Sequence, residues 1–128
     1  MATGTHTEVK RLTPVLIVET IEPCLAFWEK VGFTKTMGVV DQGRLGFAIL
    51  SRDGVEVMLQ ARYNLAHDLP GANAGPAIIY LDVVGLDAIE SALGGEPLVH
   101  PRRLASYGAD EIWVRDPSGN VVGFAERA

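Results

Sequence analysis

Two carboxylates stand in runs of alternating residues, Val55-Glu56-Val57-Met58-Leu59-Gln60 and Ile78-Ile79-Tyr80-Leu81-Asp82-Val83. Successive side chains of a strand point to opposite faces, so Glu56, Met58 and Gln60 share one face and Val55, Val57 and Leu59 the other. The same rule separates Ile78, Tyr80 and Asp82 from Ile79, Leu81 and Val83, and Val121, Gly123 and Ala125 from Val122 and Phe124. If the apolar sets turn to a core, the remaining sets face a ligand side, together with Phe47 and Trp113. Carboxylates among aromatic rings suit a flat or cationic organic ligand, held by stacking and charge pairing. A glycine inside a strand marks a bulge, a close approach or space left for something else. Gly123 is therefore read as room in the binding cavity.

Other reactive residues carry less. His6 lies in an N-terminal arm, His67 in a Pro/Gly/Asn-rich stretch and His100 beside Pro101, a spacing that matches no metal signature. Cys24 falls on the apolar stripe of a helix, where an inert buried thiol is expected. No Ser/His/Asp arrangement or phosphate-binding glycine loop is visible. Asp116 is placed to hold a hairpin turn with its own side chain.

The elements that must position these residues repeat. Strand 12–18, a helix carrying Cys24, Phe27, Trp28 and Val31 on one stripe, and strands 33–40, 44–50 and 55–61 make a βαβββ unit. Residues 62–76 read as a linker. Strand 77–83, the helix "LDAIESAL" and strands 97–105, 110–115 and 120–126 then repeat the order, the first of these three weakened by Pro97 and Pro101. The fold class is α+β, with module one at 11–61, the linker at 62–76 and module two at 77–126 curling around a shared cavity. Pro14 implies that the first strand starts at an edge or bends there.

The 128 residues fit one domain, and the single cysteine excludes an internal disulfide framework and fits a reducing cytoplasm. A formal net charge of −5 without a basic cluster argues against a nucleic-acid partner, and no apolar run has the length of a membrane span.

The paired modules, "TPVLIVETIEPCLAFWEKVGF" and the ending "VRDPSGNVVGFAE" resemble the vicinal oxygen chelate superfamily over residues 11–126. Within it, the bleomycin-resistance proteins share Pro-Val-Leu, Phe-Trp and Arg-Asp-Pro-x-Gly-Asn with this chain. The resemblance implies that the superfamily's metalloenzymes place ligands on the first and last strand of each module. Those positions fall on Thr13 and Ile78, on Gly123, and on Glu56 or, in a shifted register, Gln60. Most lack a donor, so no metal or other cofactor is expected. The resemblance also implies a homodimer, possible exchange of its N-terminal arms, and a ligand crevice at the subunit interface. The expected function is a metal-free binding protein that sequesters a small aromatic or cationic molecule. The alternative is a glyoxalase-like lyase, isomerase or dioxygenase using Zn, Ni, Mn or Fe, with Glu56 as general base.

Overall fold

A computed structural model describes residues 6–72 and 75–127, so the first five residues of the expected arm lie outside the described set. The elements are β1 (Val15–Val18), α1 (Ile21–Lys30), β2 (Thr34–Asp41), β3 (Arg44–Arg52), β4 (Val55–Ala61), a 3-10 turn (Arg62–Asn64), α2 (Leu65–Asp68), β5 (Ile78–Asp82), α3 (Leu86–Ala92), β6 (Leu98–Leu104), β7 (Ala109–Arg115) and β8 (Val121–Arg127). Two four-stranded sheets result, ordered β1-β4-β3-β2 and β5-β8-β7-β6, so the expected βαβββ repeat is the architecture of the chain. In each sheet the first strand runs parallel to the last and the other pairs are antiparallel.

Local chemistry accounts for the elements. α1 buries Ile21, Cys24, Phe27 and Trp28, a stripe at helical spacing, and Trp28 meets Phe27 and Phe33 edge-on at 5.4 and 5.0 Å. The hairpin turns at Gln42-Gly43 and Asp53-Gly54 have φ of 55° and 77°, and 52° and 78°. Such left-handed pairs match the twist of the flanking strands, and glycine supplies the second position without strain. β1 begins at Val15, later than the expected 12–18, because Pro14 has no N–H to give. Its carbonyl still accepts the Met58 N–H at 3.0 Å, while Leu12 is left exposed. The stretch 62–76 is more ordered than a linker: Leu65 is buried and anchors the helical turns there. β6 pairs irregularly around Pro101, as a strand carrying proline must at an edge.

One core joins the helix-side faces of both sheets. Leu16, Val18, Leu50, Val57 and Leu59 meet it from module one and Ile112, Val114, Val122 and Phe124 from module two. The opposite face of each sheet turns outward, carrying half-buried Phe47, Ile49 and Met58 on one and Tyr80 and Trp113 on the other. The turn before β8 fastens the modules together. Asp116 Oδ1 accepts the Ser118 and Asn120 N–H groups at 2.9 and 2.8 Å. Asn120 Oδ1 accepts the Ala77 N–H at 2.8 Å, and its Nδ2 donates to the Ile17 carbonyl at 3.3 Å.

Candidate functional site

The outer face of sheet two is built in rows. Tyr80 lies beside Gly123 across β5–β8, and Gly123 beside Trp113 across β8–β7. A Cβ on Gly123 would stand 2.7 Å from Trp113 Cζ3. The missing side chain therefore makes room for the indole ring. This corrects the expectation that Gly123 leaves space for a ligand: Trp113 already fills that space. With the indole lying on Gly123, its ring centroid is 5.6 Å from that of Tyr80 at a tilt of 40°, and the two form one aromatic surface.

What holds this surface is Glu111, a residue missing from the sequence reading. It is solvent-inaccessible, and every donor around it is aromatic. Tyr80 Oη donates to Oε2 at 2.6 Å, Trp113 Nε1 to Oε1 at 3.0 Å, and Tyr107 Oη also to Oε2. Burial pushes the Glu111 carboxyl up, but the bonds from Tyr107, Tyr80 and Trp113, with the charge of Arg103, outweigh it and hold the group below the usual carboxylate range. The same carboxylate raises both phenols: hydrogen bonding to Glu111 leads the upward shift of Tyr80 and of Tyr107. The available signal was alternation in "ADEIWVR", which places 111, 113 and 115 on one face.

The other expected site residues divide into groups. Thr13, Glu56 and Tyr80 come together in a cleft of about 410 Å³ between the modules, walled by Leu12, Pro14, Val55, Val57, Ile79 and Leu81. Phe47, Met58 and Gln60 lie along the outer face of sheet one, where Phe47 pairs with Gln60 and Met58 with Val15 and Ile49. Gln60 is not free to meet a ligand through its amide N–H, since Nε2 donates to Asn64 Oδ1 at 2.7 Å and Asp68 Oδ2 at 3.2 Å. Ile78 is 72% exposed at the sheet edge. The two carboxylates expected to oppose positive charge each carry an arginine: Arg11 lies 3.7 Å from Glu56, and Arg127 Nε donates to Asp82 at 2.9 Å. A larger depression of about 650 Å³ opens on the helix side, between the end of α1 and β5–α3. Its cations are already engaged, Lys30 by Glu96 and Arg52 by the Val31 carbonyl, and it holds neither Tyr80 nor Trp113.

The donor set does not fit a divalent ion. Thr13, Ile78 and Gly123 offer one hydroxyl, one alkyl group and no side chain, and Glu56 faces Arg11. Among the described residues no three His, Cys, Asp or Glu side chains assemble as a metal-binding group. Cys24 is no better as a nucleophile: burial, only partly offset by a hydrogen bond with Ser118, pushes its thiol up to about 11.

Comparison with known proteins places this geometry. No family model matches the sequence, and no curated protein matches it. Solved structures do. The bleomycin resistance determinant encoded on transposon Tn5 superposes with a TM-score of 0.69 at 20% identity, over 93% of this chain and 98% of that one. The fold is that of the vicinal oxygen chelate superfamily. A bleomycin-binding protein complexed with bleomycin gives 0.66 at 21% identity, covering 94% and 100% of the two chains. Lactoylglutathione lyase from Agrobacterium tumefaciens gives 0.74 at 14%, covering 94% and 96%. A binding protein and an enzyme thus share the scaffold, so the residues of the site must distinguish between them. No helix among the described residues is long and apolar enough to cross a membrane.

Proposed function

We propose that the protein is a metal-free binding protein of the bleomycin-resistance type that sequesters a small, flat organic molecule in the cytoplasm. One observation carries this reading: Tyr80 and Trp113 form an aromatic surface whose polar atoms are all engaged by a buried carboxylate. Such a surface is preorganised, so a stacked ligand loses affinity to ordering neither ring. Stacking needs no Lewis acid, and the four positions where superfamily metalloenzymes hold ligands offer a single carboxylate. The likeness to a bleomycin-binding protein supports small-molecule binding on this scaffold.

The chain acts as a homodimer in this reading. Each outward sheet face carries apolar groups, including Val15, Met37 and Val39 on sheet one and Ile78 on sheet two, all more than 40% exposed. A second copy brings one chain's outer face opposite the other's and closes the crevice. Native mass spectrometry of gently purified protein tests the proposal. The expected spectrum shows a dimer free of stoichiometric metal, with added aromatic ligand retained by the wild type and lost in Trp113→Ala. A stoichiometric divalent ion, or equal retention by the variant, overturns it.

A further inference from the structure

We propose that the ligand of the Tyr80–Trp113 surface is an aromatic anion, a flat ring system bearing a carboxylate or similar acid group. This deepens the reading of that surface as a stacking site and rests on it.

The argument is a charge inventory of the outer face of sheet two. Its acids are withdrawn. Glu111 is solvent-inaccessible and accepts from Tyr80, Tyr107 and Trp113. Asp82 is matched by Arg127. The remaining carboxylates nearby serve the helix side: Asp110 binds Arg102 at 2.8 Å, and Glu126 accepts the Gly85 and Leu86 N–H groups at the start of α3. Across the cleft, Glu56 faces Arg11.

Two further cations lie on the same face outside any salt bridge among the described residues, and with Arg127 they outnumber its two carboxylates, Glu111 and Asp82. Arg115 follows Trp113 by two residues on β7 and is exposed; its guanidinium donates only to the Gly119 carbonyl, at 3.3 Å, among the described contacts. Arg103 lies across from Glu111 in register on β6 and is exposed; its charge is felt by Glu111, but its guanidinium makes no salt bridge or hydrogen bond to a carboxylate among the described contacts. Trp113 therefore sits between two rows, Arg115–Val121 on one side and Arg103–Glu111–Ala125 on the other. Strand rise sets alternate rows roughly 7 Å apart, about the length of a fused two-ring system. A ring stacked on Trp113 thus carries its rim toward one guanidinium or the other, and a guanidinium fork matches a carboxylate with two parallel hydrogen bonds. His100, opposite Trp113 on β6, is the remaining titratable group facing the ring. Arginines left outside salt bridges are the more telling in a chain whose net charge is −5.

Calorimetric titration with 2-naphthoate, 2-naphthamide and 2-naphthylmethylammonium, which differ in charge on one ring system, tests this. The expected order is naphthoate tightest and ammonium weakest, with naphthoate favoured over the amide by about three- to tenfold, the scale of one or two exposed ion pairs. The preference narrows as salt rises toward 1 M, where screening acts over about 3 Å. An Arg103→Gln/Arg115→Gln variant binds all three alike. Equal affinities, a tighter ammonium, or a preference indifferent to salt overturns the anion proposal while leaving the stacking site standing. Binding of none of the three overturns both.

Discussion

At the scale of the residue, Glu111 and Gly123 determine where Trp113 lies. Glu111→Gln keeps the shape but offers an amide where every neighbour is a donor. Three donors lose a charged acceptor, one of them on the 61% exposed Tyr107, so the expected loss is about 1.5–3 kcal/mol by denaturant titration. A Trp113 indole N–H resonance shifted upfield in the variant is the accompanying sign. The pH dependence follows from the lowered carboxyl. A folded value below the unfolded one, about 4.3, means the contribution is fully present above that pH and is lost as pH falls through the folded value. The stability gap between wild type and Glu111→Gln should thus close in acid; a gap constant down to about pH 2 would refute the assignment. Gly123→Ala gains strand propensity, worth about 0.5–1 kcal/mol. Its Cβ nonetheless collides with an indole pinned by Glu111, and overpacking of about 1–3 kcal/mol decides the sign. Thermal melts should show the variant destabilised, and less so in a Trp113→Ala background. Alternation made the facing of Tyr80, Trp113 and Gly123 legible in the sequence. It could not show that the indole lies across Gly123, because cross-strand register depends on partners that the local pattern does not name.

At the scale of the element, the turn 116–120 is a joint as well as a hairpin. Asn120→Ala leaves the Ala77 N–H without its acceptor and the Ile17 carbonyl without its side-chain donor, and loosens Asp116. Unmade buried hydrogen bonds of this kind cost about 1–3 kcal/mol each, so a loss of about 3 kcal/mol in chemical denaturation is expected, with a single cooperative transition retained. Asp116 could be read as a turn holder because Asp-Pro-x-Gly is local chemistry. The role of Asn120 could not, since its partners lie 43 and 103 positions away. The same limit explains the stretch 62–76: Pro and Gly announced a break, while the helical turns depend on Leu65 finding the core and on Gln60 bonding Asn64 and Asp68.

At the scale of the whole molecule, the two modules meet through their helix sides, and among the described residues both outer sheet faces keep exposed apolar side chains. Sedimentation of the wild type should give a dimer. Val39→Glu or Ile78→Glu, each on an exposed side chain, should shift it toward monomer without lowering the cooperativity of unfolding. An unchanged dimer in both variants would move the interface elsewhere.

The hydrogen bond from Asn120 to Ile17 also bears on the order of events during synthesis. The first strand of module one is not fully secured until a residue 103 positions later has emerged. In each module the first strand must likewise wait for the last, its parallel neighbour. Contacts of such long sequence separation form slowly, because chain entropy is lost before they are made. In the nascent first module the Ile17 carbonyl and the Glu19 N–H thus wait, without these partners, until the final hairpin brings Asn120 and Ser118 to them.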